Sequence, residues 1–152
     1  MYTLSIDLDK NRPCRYAFSA HLWNIKAAEY TLRADVLLDT GAYNTIINSS
    51  LVPRYANLTK GKMKVALGGF VGIADICIIK KMNLNGHIIE NIAALAVPFK
   101  GELKDHILLG TNVINNWEIT LSRQKHKLSA KEELDNYRYL YDSKGQVMSY
   151  QE

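Results

Sequence analysis

The sequence has little that announces a reaction. Its 152 residues include two cysteines, Cys14 and Cys77, and they do not form a C-x-x-C pair. Two are too few for a disulfide framework, so both are read as reduced thiols. No apolar run is long enough to span a membrane, and no membrane partner is expected. The opening MYTLSIDLDKNRP lacks the basic-then-apolar layout of a secretory signal, which leads us to expect a cytoplasmic protein. A G-x-S-x-G elbow is missing, and so are a P-loop and a dinucleotide-type glycine fingerprint. His21, His87, His106 and His126 are scattered without metal-ligand spacing. Neither thiol has a histidine near it in sequence to activate it. Hydrolase-elbow, nucleotide-binding and metal chemistries therefore have no support, and no cofactor is expected.

What is present describes an ordinary soluble domain. The chain is 47% hydrophobic and 22% charged, a size and composition that fit one domain with a real core. Its net charge is +4, with lysines in small groups at Lys60, Lys62 and Lys64, at Lys80 and Lys81, and at Arg123, Lys125 and Lys127. The last group alternates with Gln124, His126 and Leu128, as on one face of an exposed strand. Binding single-stranded nucleic acid would need a denser patch with interleaved aromatics, so no nucleic-acid partner is expected.

The dominant period is two. Tyr16, Phe18, Ala20 and Leu22 alternate as a strand. A turn at 24–27 follows, and the pattern resumes at Tyr30 and Leu32. Val36, Leu37 and Leu38 form a buried strand that ends at Asp39, and residues 45–50 can form another short one. Residues 65–67 and 71–79 flank Gly68, Gly69 and Phe70, a hairpin signal. Asn85-Gly86, between 82–84 and 87–89, is the strongest short turn dipeptide. Strands are also expected at 92–97, 107–109, 117–121 and 124–128. A short helix is expected at 112–117 with Asn112 as cap. Residues 130–141 permit another helix. A turn at 142–145 and a terminal strand at 146–150 complete an all-β domain with one or two short helices.

Asp39 is the residue that asks for an explanation. A carboxylate after three aliphatic residues is costly unless it is paired or used. Here a buried strand delivers it to a turn. Thr40 offers a hydroxyl, and Gly41, lacking a Cβ, lets another backbone approach. Asp39 could equally be a turn residue bonding its own backbone.

The wider pattern narrows this choice. Two aliphatics precede D-T-G-A, and Thr45 comes three residues after Ala42. A glycine hairpin at Gly68-Gly69 lies downstream, and then Leu108-Leu109-Gly110 before a short helical stretch. This sequence resembles the retropepsins, the retroviral-type aspartic proteases, over about residues 32–128. The resemblance implies a closed retropepsin-like barrel in a single domain, with a core at about 16–128. Residues 1–15 and 129–152 would be terminal extensions of unassigned role. It also implies a homodimer acting on polypeptide, each copy giving one catalytic aspartate, Asp39. Thr40 would bond across the dimer axis. Gly41, Ala42 and Tyr43 would meet the substrate main chain. Gly68, Gly69 and Phe70 would belong to a flap over the substrate. Leu108, Leu109 and Gly110 would brace the catalytic loop from behind, and Phe70, Ile73 and Val97 would line pockets.

Two positions depart from the family pattern. Tyr43 replaces the usual acidic residue after D-T-G-A, and Thr111 replaces the usual arginine after the later glycine. Those charges pair in the family, so losing both strands neither. The mechanism needs two carboxylates, one ionised to take a proton from water and one protonated to polarise the carbonyl. Two carboxylates about 3 Å apart share one proton, and their titration belongs to the pair. If its upper value were about 5, only about 1% of the pair would be in the working form at pH 7. The chain holds a single D-T-G, so two copies would be needed. The competing functions are a weakly active or inactive peptide-binding or dimerisation module on the same fold, and a basic nucleic-acid-binding barrel in which Asp39 is incidental.

Overall fold

The computed structural model describes residues 3–9, 16–67, 70–99 and 106–152. In chain order the strands are β1 (Thr3–Asp7), β2 (Ala17–Asn24), β3 (Glu29–Leu38), β4 (Ile46–Asn48), β5 (Ala56–Leu67), β6 (Phe70–Leu84), β7 (His87–Val97), β8 (His106–Leu109), β9 (Trp117–Ser122), β10 (Lys127–Glu132), β11 (Leu140–Tyr141) and β12 (Val147–Met148). A single 3-10 turn, Ser49–Leu51, leads into α1 (Val52–Tyr55), and α2 is Thr111–Ile114. The main sheet runs β2-β3-β8-β4-β7-β6-β5, and β2 also pairs with β6. Six of these strands thus close into a barrel with β5 outside the ring, which removes the unpaired edges an open sheet would leave.

Alternation sets the core, as the sequence predicts. On β2, Phe18, Ala20 and Leu22 are all buried. Val36, Leu37 and Leu38 at the end of β3 are buried together because β3 lies inside the sheet there. Each fully buried aliphatic contributes about 1.5–3 kcal/mol, so this strand end is a firm support for the loop beyond it. The β6–β7 hairpin turns at Asn85-Gly86 with φ of 51° and 96°. Both angles lie in the left-handed region that a two-residue hairpin of this twist requires.

Three expectations are corrected. Residues 124–128 are not one strand. The chain reverses at 123–126, where His126 adopts φ 49° and the Ser122 hydroxyl accepts from Lys125 N–H. The cationic residues crowd a turn there, and β10 begins only at Lys127. The helix allowed at 130–141 does not form. Leu128 and Ala130 are buried on β10 between β1 and β9, and the N–H groups of Glu133 and Leu134 go to the Asn116 carbonyl. Those donors are consumed before a helical turn can close. Asn112 does not cap α2. Gly110 holds the cap position, and Asn112 is fully buried inside the helix.

Both ends pack onto the barrel. In the first sheet β10 lies between β1 and β9, so the N-terminal strand pairs within its own chain. Further on, Trp117 Nε1–H donates to the Tyr137 hydroxyl at 2.8 Å, and that hydroxyl donates to Glu132 at 2.5 Å. Burial, reinforced by the Glu132 bond, pushes the Tyr137 phenol well above its ordinary range. Among the described residues no helix is long and apolar enough to cross a membrane.

Candidate active site

The site grows out of a threading problem. Strand β8 lies between β3, to which it is parallel, and β4, to which it is antiparallel. The loop joining β3 to β4 must therefore cross the end of β8. It does so at Gly110. A Cβ there would stand 2.4 Å from the carbonyl carbon, 2.5 Å from the oxygen and 2.8 Å from the nitrogen of Asn44. Real side chains do not reach such distances, so only glycine admits the crossing.

Hydrogen bonds then fix the loop to β8 and α2. Asp39 N–H donates to Leu109 O at 3.0 Å, Thr111 N–H to Ala42 O at 2.9 Å, and Asn112 N–H to Tyr43 O at 3.0 Å. The Thr111 hydroxyl adds a bond to Tyr43 O at 3.1 Å. Gly110 N–H donates to the Thr45 hydroxyl at 3.2 Å. That hydroxyl donates in turn to Asn112 Oδ1 at 2.8 Å, which also accepts from Thr45 N–H at 2.8 Å. The Asn112 amide nitrogen donates to Ala93 O and Tyr139 O. Every bonding position of this fully buried side chain is thus used, as burial of an amide demands.

Asp39 stands at the edge of this rigid frame. It is half-buried, with Thr40 and Gly41 exposed beyond it. Gly41 N–H donates to Asp39 Oδ1 at 3.0 Å, and Ala42 N–H to Asp39 O at 3.3 Å. The turn thereby aims one carboxylate oxygen, and among the described residues no group crowds the exposed side of Gly41: the nearest atom to a Cβ there would be Asp39 Oδ1 itself, at 3.4 Å. Tyr43 is 49% exposed, whereas Asn44 and Thr45 are buried.

Leu108 and Leu109 face opposite ways. Leu109 belongs to the main core with Val36, Leu38 and Ile107. Leu108 packs in a second cluster with Ile46, Leu95 and Val97. The inner face of the β5–β6 hairpin joins that second cluster through Met63, Val65 and Phe70, while Val71 and Ile73 point outward at 82% and 61% exposure. Val97 and Phe70 thus share an apolar layer with the loop's flank, and Ile73 does not. Gly68 and Gly69 lie outside the described residues.

The fold has a counterpart among solved structures. The chain is similar to the crystal structure of a retropepsin-like aspartic protease from Rickettsia conorii, with a TM-score of 0.52 and 13% identity, over 85% of this chain and 89% of that one. The chain has the retropepsin-like fold. No family model matches it, and no curated protein matches its sequence. At this identity the likeness establishes the fold and leaves the chemistry to the residues.

Sequence reasoning missed the buried asparagines. Asn44 brackets Tyr141, accepting from its N–H and donating to its C=O, both at 2.8 Å. Asn116 does the same for Asn136, at 3.1 and 3.0 Å. The available signal was a polar residue sitting against apolar neighbours, as in N-T-I-I. No periodicity indicates which distant backbone such an amide will meet.

Proposed function

We propose that the protein is an aspartic endopeptidase whose site is assembled from Asp39 of two copies. The observation that carries this reading is the placement of Asp39. A buried strand delivers it, Leu109 O and Gly110 hold its loop, and the carboxylate is presented beside an uncrowded glycine. In the paired site one carboxylate takes a proton from water as that water attacks the scissile carbonyl. The other donates its proton to the carbonyl oxygen. Thr40, exposed at the loop tip, bonds across the axis and keeps the two acids level. Gly41, Ala42 and Tyr43 receive the substrate main chain, with Gly68, Gly69 and Phe70 as the flap above. Leu108, Leu109 and Gly110 hold the loop from behind.

The retropepsin-like fold and the single D-T-G both support a homodimer. In the terminal sheet β1 pairs with β10 in the same chain, which among the described residues leaves the outer edges of β1 and β9 open to a partner. The contact that the reading requires is between the two Asp39 loops. The test is Asp39→Asn, nearly the same shape. We expect its melting curve to overlay the parent's while cleavage of a peptide library falls below detection between pH 4 and 7. Undiminished cleavage by that variant refutes the reading. A second reading, a peptide-binding module that does not cut, draws on Tyr43, whose ring occupies the position of the family's acidic residue. Library digestion combined with sedimentation separates the two.

A further inference from the structure

The C-terminal segment reaches the candidate groove. Strands β11 and β12 form a hairpin whose turn is closed by Asp142 N–H to Gln146 O and Gly145 N–H to Asp142 O. One side of this hairpin lies on the catalytic loop. A Cβ on Gly145 would stand 3.4 Å from the Tyr43 ring. The rings of Tyr43 and Tyr141 are 6.2 Å apart, and Asn44 brackets the Tyr141 backbone. The Tyr141 hydroxyl accepts from the Asn115 amide at 2.9 Å. The other side reaches the root of the β5–β6 hairpin. Lys60 N–H donates to Gln151 O at 2.9 Å, and a Cβ on Gly61 would stand 3.0 Å from Tyr150 Cβ. Between these contacts Leu140, Met148 and Tyr150 join the apolar layer of Ile46, Val65, Phe70 and Leu108.

A peptide lying along the Asp39 loop would meet this segment just beyond Tyr43. We propose that the β11–β12 hairpin is the end wall of the peptide groove, so that in the paired site its two copies close both ends and substrate extends only a short way past Tyr43 of either copy. The preferred substrates are then short peptides, not the middle of a long polypeptide. The inference rests on the groove reading above.

The wall is fixed, not a removable plug. Ala93 N–H donates to Tyr137 O, and Asn112 and Asn116 bond the backbone of Tyr139 and Asn136. Withdrawing the segment would leave Asn44, Asn112 and Asn116, all 5% exposed or less, short of partners.

The test uses two series of fluorogenic peptides sharing one cleavage site and lengthened stepwise on one side or the other. The expected result is a limit on both sides. Lengthening in either direction lowers kcat/KM at least tenfold beyond a threshold, because each copy supplies one wall. Tyr141→Ala, which keeps the backbone bracket and removes the facing ring from both walls, should restore the long members of both series at least fivefold. Anisotropy with the same peptides on Asp39→Asn reads binding without chemistry. Binding that weakens with length on both sides, without cleavage by the parent, supports the wall and refutes proteolysis. Loss confined to one side supports a wall in a single-copy groove and refutes the paired site. Tolerance of the long members in both series, or no binding of any peptide, overturns the wall.

Discussion

Replacing Gly110 with alanine probes the loop crossing at its tightest point. The new Cβ would lie 2.4 Å from the Asn44 carbonyl carbon, against an ordinary contact of 3.4 Å or more. The loop and the end of β8 would have to separate by about 1.0 Å, the difference between those two distances. Nothing there yields easily. The contacted atoms are backbone, and the loop is pinned on both sides by the bonds of Ala42 and Tyr43 to α2 and of Asn44 to Tyr141. Overpacking costs about 1–3 kcal/mol where side chains can adjust, so the cost here belongs at or above about 3 kcal/mol. At about 2–4 °C per kcal/mol for a domain of this size, the melting temperature should fall by about 6–12 °C. Activity, if the peptidase reading holds, should fall further than stability explains, because a shift of about 1 Å in a catalytic group can cost about a hundredfold. Differential scanning fluorimetry and peptide cleavage measured 15 °C below the variant's midpoint would separate the two effects. A variant that melts within 1 °C of the parent and cuts at the parental rate would show that the crossing is looser than the geometry requires.

Three further outcomes are expected. Asn112→Ala leaves Thr45 N–H and the Ala93 carbonyl without their buried partner. At about 1–3 kcal/mol for each orphaned group, urea unfolding should show a loss of about 3 kcal/mol or more. Glu152 is held below the ordinary carboxylate range by its bonds to Arg138. A lowered value makes the contact stabilising above about pH 4.3 and progressively lost as pH falls through the folded value. The protection factor of Lys60 N–H, taken relative to the intrinsic exchange rate at each pH, should therefore fall on acidification, and Glu152→Gln should remove that fall. Burial, the larger cause, and the charge of Asp75 push the Cys77 thiol up to about 12. It should resist disulfide reagents at pH 8 until the protein unfolds. Because the raised value favours the neutral thiol, stability should decline as pH rises from about 9 toward 12. A fast-reacting Cys77 would contradict its burial.

The barrel was legible because its signals are local. Alternation on β2, the aliphatic run before Asp39 and the Asn85-Gly86 turn each reflect a rule acting over a few residues. Leu108-Leu109-Gly110 was legible too, since an apolar pair ending at a glycine is a compact pattern, although its reason, the Asn44 backbone overhead, appears only in three dimensions. The tail was not legible. Glu132, Glu133 and Leu134 carry helical preference, and Asn116, far upstream in the chain, takes the backbone donors of the last two. The 123–126 reversal was hidden because alternating charge looks the same on an exposed strand as in a turn.

Asn44, Asn112 and Asn116 explain how a chain with so few short-range instructions after Glu132 still settles in one place. A primary amide carries one acceptor oxygen and two donors, so it can pair with a peptide group as a neighbouring strand would. Buried, it becomes expensive if the match is missed, which penalises every other position of the tail. Asn112 has a second consequence. One of its ends holds Thr45, whose hydroxyl receives the N–H of Gly110, and its other end holds Tyr139 in the tail. The support of the Asp39 loop and the anchoring of the tail are thus two functions of one side chain. A change that loosens residues 133–141 is transmitted toward Asp39 through that amide, without any atom of the tail touching the carboxylate. Removing residues 133–141 should therefore disturb the Asp39 loop even where the barrel survives.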